Sequence, residues 1–216
     1  MEPIPAPERV FLLSPAYAGG RRAQMVLSGR AQFDLAKRLR SKEGATIAEV
    51  FTFLSGLYFR GKIAYAQTFA SSQNGSSGVF VITPTRGLLD AKATITLRAL
   101  REFAEVEIDE ADPRYRKPLE RAVRRLATQI GTRSEIVLLG SIATGKYVDI
   151  LLEIFRDRLR FPADFVGRGD MSRGGLMLRC VQDREELRYI SVAGAVRNGK
   201  RPPKLTPRRA NARSTR

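Results

Sequence analysis

Residues 118–155, PLERAVRRLATQIGTRSEIVLLGSIATGKYVDILLEIF, predict a helix, a strand and a second helix in succession. Apolar residues recur at helical spacing before Gly131 and again from Val148 to Phe155. Between them, Glu135-Ile-Val-Leu-Leu139 is a short apolar run without polar alternation. Such a run is typical of a strand covered on both faces, as in parallel sheets. This stretch therefore favours an α/β fold.

Similar apolar runs at 10–14 and 79–83 predict two more buried strands. A fourth short strand is expected at 163–167 and an edge strand at 187–192, while 94–100 is compatible with either a strand or a helix. Thr46-Ile-Ala-Glu49 has the spacing of a capping box and should open a helix. We therefore predict a mostly parallel sheet flanked by helices, as one domain over 1–196, followed by a disordered basic tail over 197–216.

The composition excludes several classes of site. The chain of 216 residues has no histidine and a single cysteine, Cys180. Ser-His-Asp catalysis, His-ligated metals and zinc ribbons are thereby excluded, and we predict no metal and no cofactor. No apolar stretch is long enough for a membrane span, and the first residues lack a secretory signal. The expected location is the cytoplasm, with no membrane partner.

The charge points to a polyanionic partner. Lys and Arg number 38 against 22 Asp and Glu, a net charge of +16. Residues 197–216 contain eight of the basic residues and no acidic one. Nucleic acid is the predicted partner, although a basic tail can also serve solubility alone. The tail residues expected to contact nucleic acid are Arg197, Lys200, Arg201, Lys204, Arg208 and Arg209.

The ends of the predicted strands indicate where a ligand would bind. Parallel strands place the turns that follow them at one edge of the sheet. Here those turns contain small, hydroxyl or glycine residues together with arginines, which allow an anion to approach the backbone. The predicted binding residues are Ser14, Arg86, Ser141, Thr144, Lys146, Arg168 and Arg173. A phosphate-bearing small molecule is the second expected partner, although strand-to-helix turns are commonly rich in such residues.

The turn after the third strand, Gly140-Ser-Ile-Ala-Thr-Gly-Lys-Tyr147, fits most of a phosphate-binding loop. Tyr147 stands where that loop needs Ser or Thr for magnesium, which argues against an ATPase or GTPase. A simpler hypothesis is that Thr144 caps the next helix and that the N-terminus of this helix holds a phosphate or carboxylate.

The glycine-rich loop 167–175, Gly-Arg-Gly-Asp-Met-Ser-Arg-Gly-Gly, places two arginines around Asp170. Arg168 and Arg173 could clamp a phosphate, with Asp170 orienting an arginine or acting as a catalytic base. The alternative is a tight structural loop in which Asp170 pairs with a neighbour and Ser172 caps a helix.

Four segments resemble the YaaA peroxide-stress family. Phe11-Leu-Leu-Ser-Pro-Ala16 is similar to its I-S-P-A opening, and Leu54-Ser-Gly-Leu-Tyr-Phe-Arg-Gly61 to its F-x-G-x-x-Y-x-G stretch. Thr83-Pro-Thr-Arg-Gly-Leu-Leu89 resembles its S-G-L-Y-G-L-L turn, and Gly167-Arg-Gly-Asp-Met-Ser-Arg-Gly174 lies where it has K-R-A-R-G. The resemblance implies a cytoplasmic DNA-binding protein linked to oxidative damage. VGRGDMSRGG is also similar to a segment of uncharacterised bacterial proteins.

These observations leave three hypotheses for function. The first is a nucleic-acid-binding protein, DNA-associated in repair, stress protection or nucleotide processing, with an anion pocket at the strand ends. The second is a small-molecule enzyme acting on a nucleotide or sugar phosphate through Asp170. The third is a protein–protein adaptor whose basic tail docks on an acidic partner.

Overall fold

A computed structural model describes residues 8–71 and 78–206 of the chain, and it has the predicted α/β architecture. A mostly parallel sheet of six strands is flanked by helices. Its strands are β1 Arg9–Leu13, β3 Val79–Thr83, β4 Gly87–Asp90, β6 Glu135–Leu139, β7 Leu159–Pro162 and β8 Tyr189–Ser191. A separate antiparallel pair consists of β2 Ala45–Thr46 and β5 Thr94–Ile95.

The strand order is β4-β3-β1-β6-β7-β8. The four inner strands are parallel, and the edge strands β4 and β8 each run antiparallel to their neighbour. The first strand lies near the centre, where Leu12 pairs with Phe80 on one side and with Leu138 on the other. Its apolar residues are fully buried, as expected for a strand with helices on both faces.

Eight α-helices occur in the described part of the chain: α1 Arg21–Leu27, α2 Asp34–Arg40, α3 Ile47–Ser55, α4 Leu57–Phe69, α5 Leu97–Ala104, α6 Pro113–Gln129, α7 Gly145–Phe155 and α8 Asp170–Asp183. The predicted cap of α3 is confirmed, because the Thr46 side chain accepts from the Glu49 amide. Gly56, whose φ is +63°, separates α3 from α4.

Two helix pairs form most of the packing around the sheet. Helix α4 packs against β1 and α8, whereas α6 packs against β3, β4 and α7. The α4–α8 contact is close because it is made through Gly61 and Gly174. This crossing brings the side chains of α4 to the carboxyl edge of β1, next to the start of α8.

One predicted strand is misplaced, and the structure adds detail at two other segments. The strand expected at 163–167 lies earlier, at Leu159–Pro162, and Ala163–Phe165 is a turn of 3-10 helix. The segment 94–100 contains both a short strand and the start of α5. The run after Thr83 forms the antiparallel strand β4, so β3 ends in a hairpin and not in a crossover to a helix.

Residues 197–206 follow the last strand and contact the domain. Arg197 forms an ion pair of 2.9 Å with Asp149, and Arg179 donates to the carbonyl of Thr206. Arg208 and Arg209 lie outside the described residues, so the disordered tail stays a prediction. Within the described ranges, every helix is too short or too polar to cross a bilayer.

Candidate functional site

A cleft of about 740 Å³ opens at the carboxyl edge of the parallel strands. The turn after β1, the start of α1 and the end of α3 form one wall, and the turn after β6 and the start of α8 form the other. Residues from distant parts of the chain meet here because β3, β1 and β6 are parallel neighbours, so the turns that follow them lie side by side.

Four of the predicted site residues line this cleft together: Ser14, Ser141, Lys146 and Asp170. Ser14 is held by a hydrogen bond of 3.1 Å from its amide to the carbonyl of Leu139. The carbonyl of Ser141 accepts a hydrogen bond of 2.8 Å from the Tyr147 hydroxyl. Asp170 is the first residue of α8, and its side chain is 67% exposed. Its carboxylate pairs with Arg173 at 3.6 Å, as the alternative interpretation of this loop expected.

Three predicted arginines do not line the cleft. Arg86 lies in the β3–β4 hairpin, where it pairs with Glu102 at 2.7 Å. Arg168 donates to the carbonyl of Asp164 and to the Ser172 hydroxyl. Arg173 is buried and donates twice to the carbonyl of Phe165, which leaves it behind the cleft wall. The predicted clamp of Arg168 and Arg173 on a phosphate is therefore replaced by contacts within the protein.

Neither predicted hydroxyl cap is present. Thr144 occupies the position before α7 without capping it, and Ser172 lies inside α8, which begins two residues earlier. Thr144 lines a smaller adjoining cavity of about 340 Å³, together with Glu107, Asp109 and Glu110. Because these carboxylates face the start of α7, the turn resembling a phosphate loop is unsuited to a phosphate.

Sequence reasoning missed the aromatic and basic groups on the turn after β1. The Tyr17 ring is 75% exposed and lines the cleft with Arg21 and Arg22. Gly19 and Gly20 let the chain fold back on this ring, since a Cβ at Gly19 would lie 2.6 Å from the Tyr17 hydroxyl. Arg21 and Lys146 form no ion pair in the described part of the chain. The guanidinium of Arg21 and the ammonium of Lys146 can therefore bind an anionic ligand.

Two buried residues of α4 were also missed: Tyr58, which lines the cleft, and Lys62, which lies outside its lining. The Tyr58 hydroxyl is buried without a well-formed hydrogen bond in the described residues, although the Arg173 guanidinium lies near it. Burial raises the pKa of the Tyr58 phenol above the ordinary value of 10, so the hydroxyl keeps its proton even in mildly alkaline solution. Lys62 is 1% exposed and lies directly behind Ser14. Its spacing from Tyr58 and Ala66 on an apolar stripe was a signal that this lysine is buried.

The cleft is mixed in charge rather than purely cationic. Arg21, Arg22 and Lys146 contribute positive charge, and Glu107 and Asp170 contribute negative charge. Apolar contact surface comes from Phe103, Val106 and Leu54. The described residues contain no cluster of acidic, cysteine or histidine side chains able to hold a metal ion. This combination suits a ligand that has an anionic end, a flat ring and hydrogen-bonding edges.

Neither a protein family model, nor a curated protein, nor a solved structure matches the chain, so its function has to be argued from the cleft itself.

Proposed function

We propose that the protein binds nucleic acid and receives a single nucleotide of a DNA strand in the cleft. The observation that carries this proposal is the exposed Tyr17 ring beside Arg21 and Arg22 at the cleft mouth. Aromatic rings stack on any base, and arginines pair with the adjoining phosphates. A cavity of about 740 Å³ is within the size range of small-molecule sites.

The interior of the cleft supports the same assignment. The Tyr58 hydroxyl can donate to a base edge, and the Asp170 and Glu107 carboxylates can accept from an exocyclic amino group. A base that reaches this depth has to come from a single strand or be turned out of a duplex. The basic residues beyond 196 add affinity that does not depend on sequence.

The direct test is a titration of fluorescent single-stranded and duplex oligonucleotides at several salt concentrations. Arg21→Ala with Arg22→Ala should weaken binding of the single strand more than binding of the duplex. Arg121→Ala with Arg125→Ala on α6 is the matched control, because it removes the same charge from residues outside the cleft. Equal weakening by both pairs, or no binding at low salt, would contradict the proposal.

Shortening the chain after residue 206 separates the tail from the cleft. This removes Arg208, Arg209, Arg213 and Arg216. The slope of log K against log salt on duplex DNA should then become shallower by at most about 3–4, at about 0.9 for each lost phosphate contact. The preference for a single strand should persist, since Tyr17 and Arg21 remain.

A second candidate is an enzyme acting on a free nucleotide or sugar phosphate. The position of Asp170 in the cleft, with most of its carboxylate exposed, favours it. Thermal unfolding with mononucleotides distinguishes the two. A nucleoside monophosphate that raises Tm as much as an oligonucleotide does would favour the small-molecule site.

A further inference from the structure

Lys62 is a buried amine whose hydrogen bonds both go to one residue. Its Nζ lies 2.6 Å from the carbonyl oxygen of Ser14 and 3.0 Å from the Ser14 hydroxyl oxygen. It forms no ion pair with any carboxylate in the described ranges. A buried lysine without a carboxylate partner is costly in its charged form, which favours the neutral amine.

The surroundings of Lys62 act in both directions, since the two aromatic rings and Asp170 favour the ammonium whereas burial and Arg173 oppose it. Its Nζ lies 4.4 Å from the centre of the Tyr58 ring and 4.6 Å from that of Phe59. From α8, Asp170 attracts the ammonium and the nearby Arg173 repels it. Burial dominates and lowers the pKa of Lys62 to about 7. A large fraction of the amine is therefore neutral at physiological pH.

Ser14 is fixed between this amine and the cleft. It follows β1 directly and lines the cleft, although it is only 7% exposed. Gly140 of the neighbouring turn makes room for it, because a Cβ there would lie 2.9 Å from both the Ser14 Cβ and the Tyr147 hydroxyl. The Ser14 hydroxyl thus has an amine on one side and the ligand space on the other.

We propose that Ser14 is a nucleophile and Lys62 its general base, acting on a phosphate ester of the nucleotide bound in the cleft. The class of substrate rests on the proposed function, whereas the pairing of serine and lysine rests on the two contacts between them and on the burial of Lys62. The neutral amine donates to the Ser14 carbonyl and accepts the hydroxyl proton. Serine–lysine pairs are a known variant of serine catalysis, and they need no histidine, which this chain lacks.

The reaction balances with water as the co-reactant. The Ser14 Oγ forms a bond to phosphorus while its proton passes to Lys62, and the bond from phosphorus to the leaving oxygen breaks. Lys62 returns the proton to the leaving oxygen. Water then attacks the phosphorus of this seryl phosphodiester and gives a proton to Lys62, which passes it to the Ser14 oxygen as the bond between that oxygen and phosphorus breaks. The products are the restored Ser14 hydroxyl and a nucleotide strand that ends in a phosphate monoester. The Lys146 ammonium and the Tyr58 hydroxyl line the same cleft as donors to the phosphoryl oxygens.

A fluorophosphonate probe tests the pair in the intact protein. It labels an activated serine by forming an oxygen–phosphorus bond with loss of fluoride, which intact-mass measurement and peptide mapping detect. We expect one label, on Ser14, with a rate that is half-maximal near pH 7 and reaches a plateau above about pH 8. Lys62→Met should slow labelling at least about 100-fold, and Ser14→Ala should abolish it. Ser191→Ala and Lys92→Met, outside the cleft, should label at the normal rate.

Labelling at another serine, no labelling, or an unchanged rate in Lys62→Met would overturn the pair. The labelled position and the pH dependence of labelling are measured on the wild-type protein. The pair can therefore be tested even if a variant fails to fold. Turnover of bis(4-nitrophenyl) phosphate supports the substrate class, and turnover of 4-nitrophenyl acetate alone overturns it. Oligonucleotide binding without Ser14 labelling would refute only the pair. Ser14 labelling without oligonucleotide binding would refute the proposed function and the nucleotide substrate.

Discussion

Gly61 of α4 and Gly174 of α8 touch so closely that a Cβ at Gly61 would lie 2.7 Å from the Gly174 carbonyl oxygen. Each glycine adjoins a buried charged residue, Lys62 in one helix and Arg173 in the other. The crossing therefore sets the depth at which Lys62 reaches Ser14. Helices can approach this closely only where both lack side chains.

Gly174→Ala should destabilise the protein by about 1–3 kcal/mol, because its methyl group would overlap the backbone at Leu57 and Tyr58. Gly175→Ala is the matched control in the same helix, since a Cβ there meets only the Leu205 side chain, at 3.5 Å. It should be neutral or stabilising by up to about 1 kcal/mol. Urea unfolding of both variants checks this, and equal losses would contradict the close crossing.

Lys62 should make stability depend on pH in a defined window. Its pKa falls from an ordinary 10.5 to about 7 on burial, so between these values the unfolded chain binds a proton that the folded chain does not. The free energy of unfolding should therefore rise with pH, by at most about 1.4 kcal/mol per pH unit. Below pH 7 both states hold the proton and the contribution is at its minimum.

The measurement is urea unfolding of the wild type and Lys62→Met at pH 7, 8 and 9. The difference between them isolates Lys62, since all other ionisable groups are shared. As pH rises, the free energy of unfolding of the wild type should increase relative to that of Lys62→Met. A constant difference would mean that Lys62 stays charged.

Tyr58→Phe should separate stability from binding. The Tyr58 hydroxyl is buried without a well-formed hydrogen bond, so its removal should leave the protein as stable as before or more stable, by about 1 kcal/mol. The same change should weaken oligonucleotide binding, because a ligand supplies the missing acceptor. Thermal unfolding and fluorescence anisotropy on one sample test both effects. A loss of stability with unchanged binding would show that the hydroxyl serves the fold.

Tyr17→Ala should reduce affinity for single-stranded DNA by about 5- to 150-fold, since stacking of one base on an aromatic ring contributes about 1–3 kcal/mol. Tyr17→Phe should keep most of the affinity, because the ring remains. Met25→Ala removes another exposed apolar side chain, outside the cleft, and should have no effect. Anisotropy titrations would refute stacking if Tyr17→Phe were as weak as Tyr17→Ala.

Arg173 and Arg168 should differ in their effect on the fold. Arg173→Met should lower the free energy of unfolding by about 2–3 kcal/mol, because it removes two hydrogen bonds to the buried carbonyl of Phe165. Arg168→Ala should cost less than about 1 kcal/mol, since its contacts are near the surface. Denaturant unfolding measures both, and a larger loss for Arg168→Ala would contradict these roles.

The sequence was most informative where burial on both faces produces an unbroken apolar run. β1, β3 and β6 were predicted because each is such a run. β7 was displaced because Leu159-Arg-Phe-Pro162 interrupts its apolar residues with an arginine and ends in proline. β4 was missed because its few residues follow a turn that also reads as a strand-to-helix connection.

Part of the lining of the cleft was also predictable from the sequence, because it follows from the positions of the buried strands. Ser14, Ser141 and Asp170 were found because the ends of parallel strands are known to meet. Tyr58 and Lys62 were not found, because a lysine within a helix usually faces solvent and only the packing of α4 on α8 buries this one. Arg86 and Arg168 were predicted in the site but lie outside the cleft lining, because the sequence does not show which acceptor a long arginine side chain will bind.

The central position of β1 also governs the order in which the protein can fold. Arg9 at the start of this strand faces Glu135 of β6, a separation of 126 residues along the chain. Contacts between residues so far apart in sequence form slowly, because the entropy cost of closing a long loop is incurred before strand pairing contributes any stabilisation. During synthesis the first strand must wait for β6 to leave the ribosome, with its apolar surface uncovered on that side. The edge that carries the cleft is thus completed only after β6 has been synthesised.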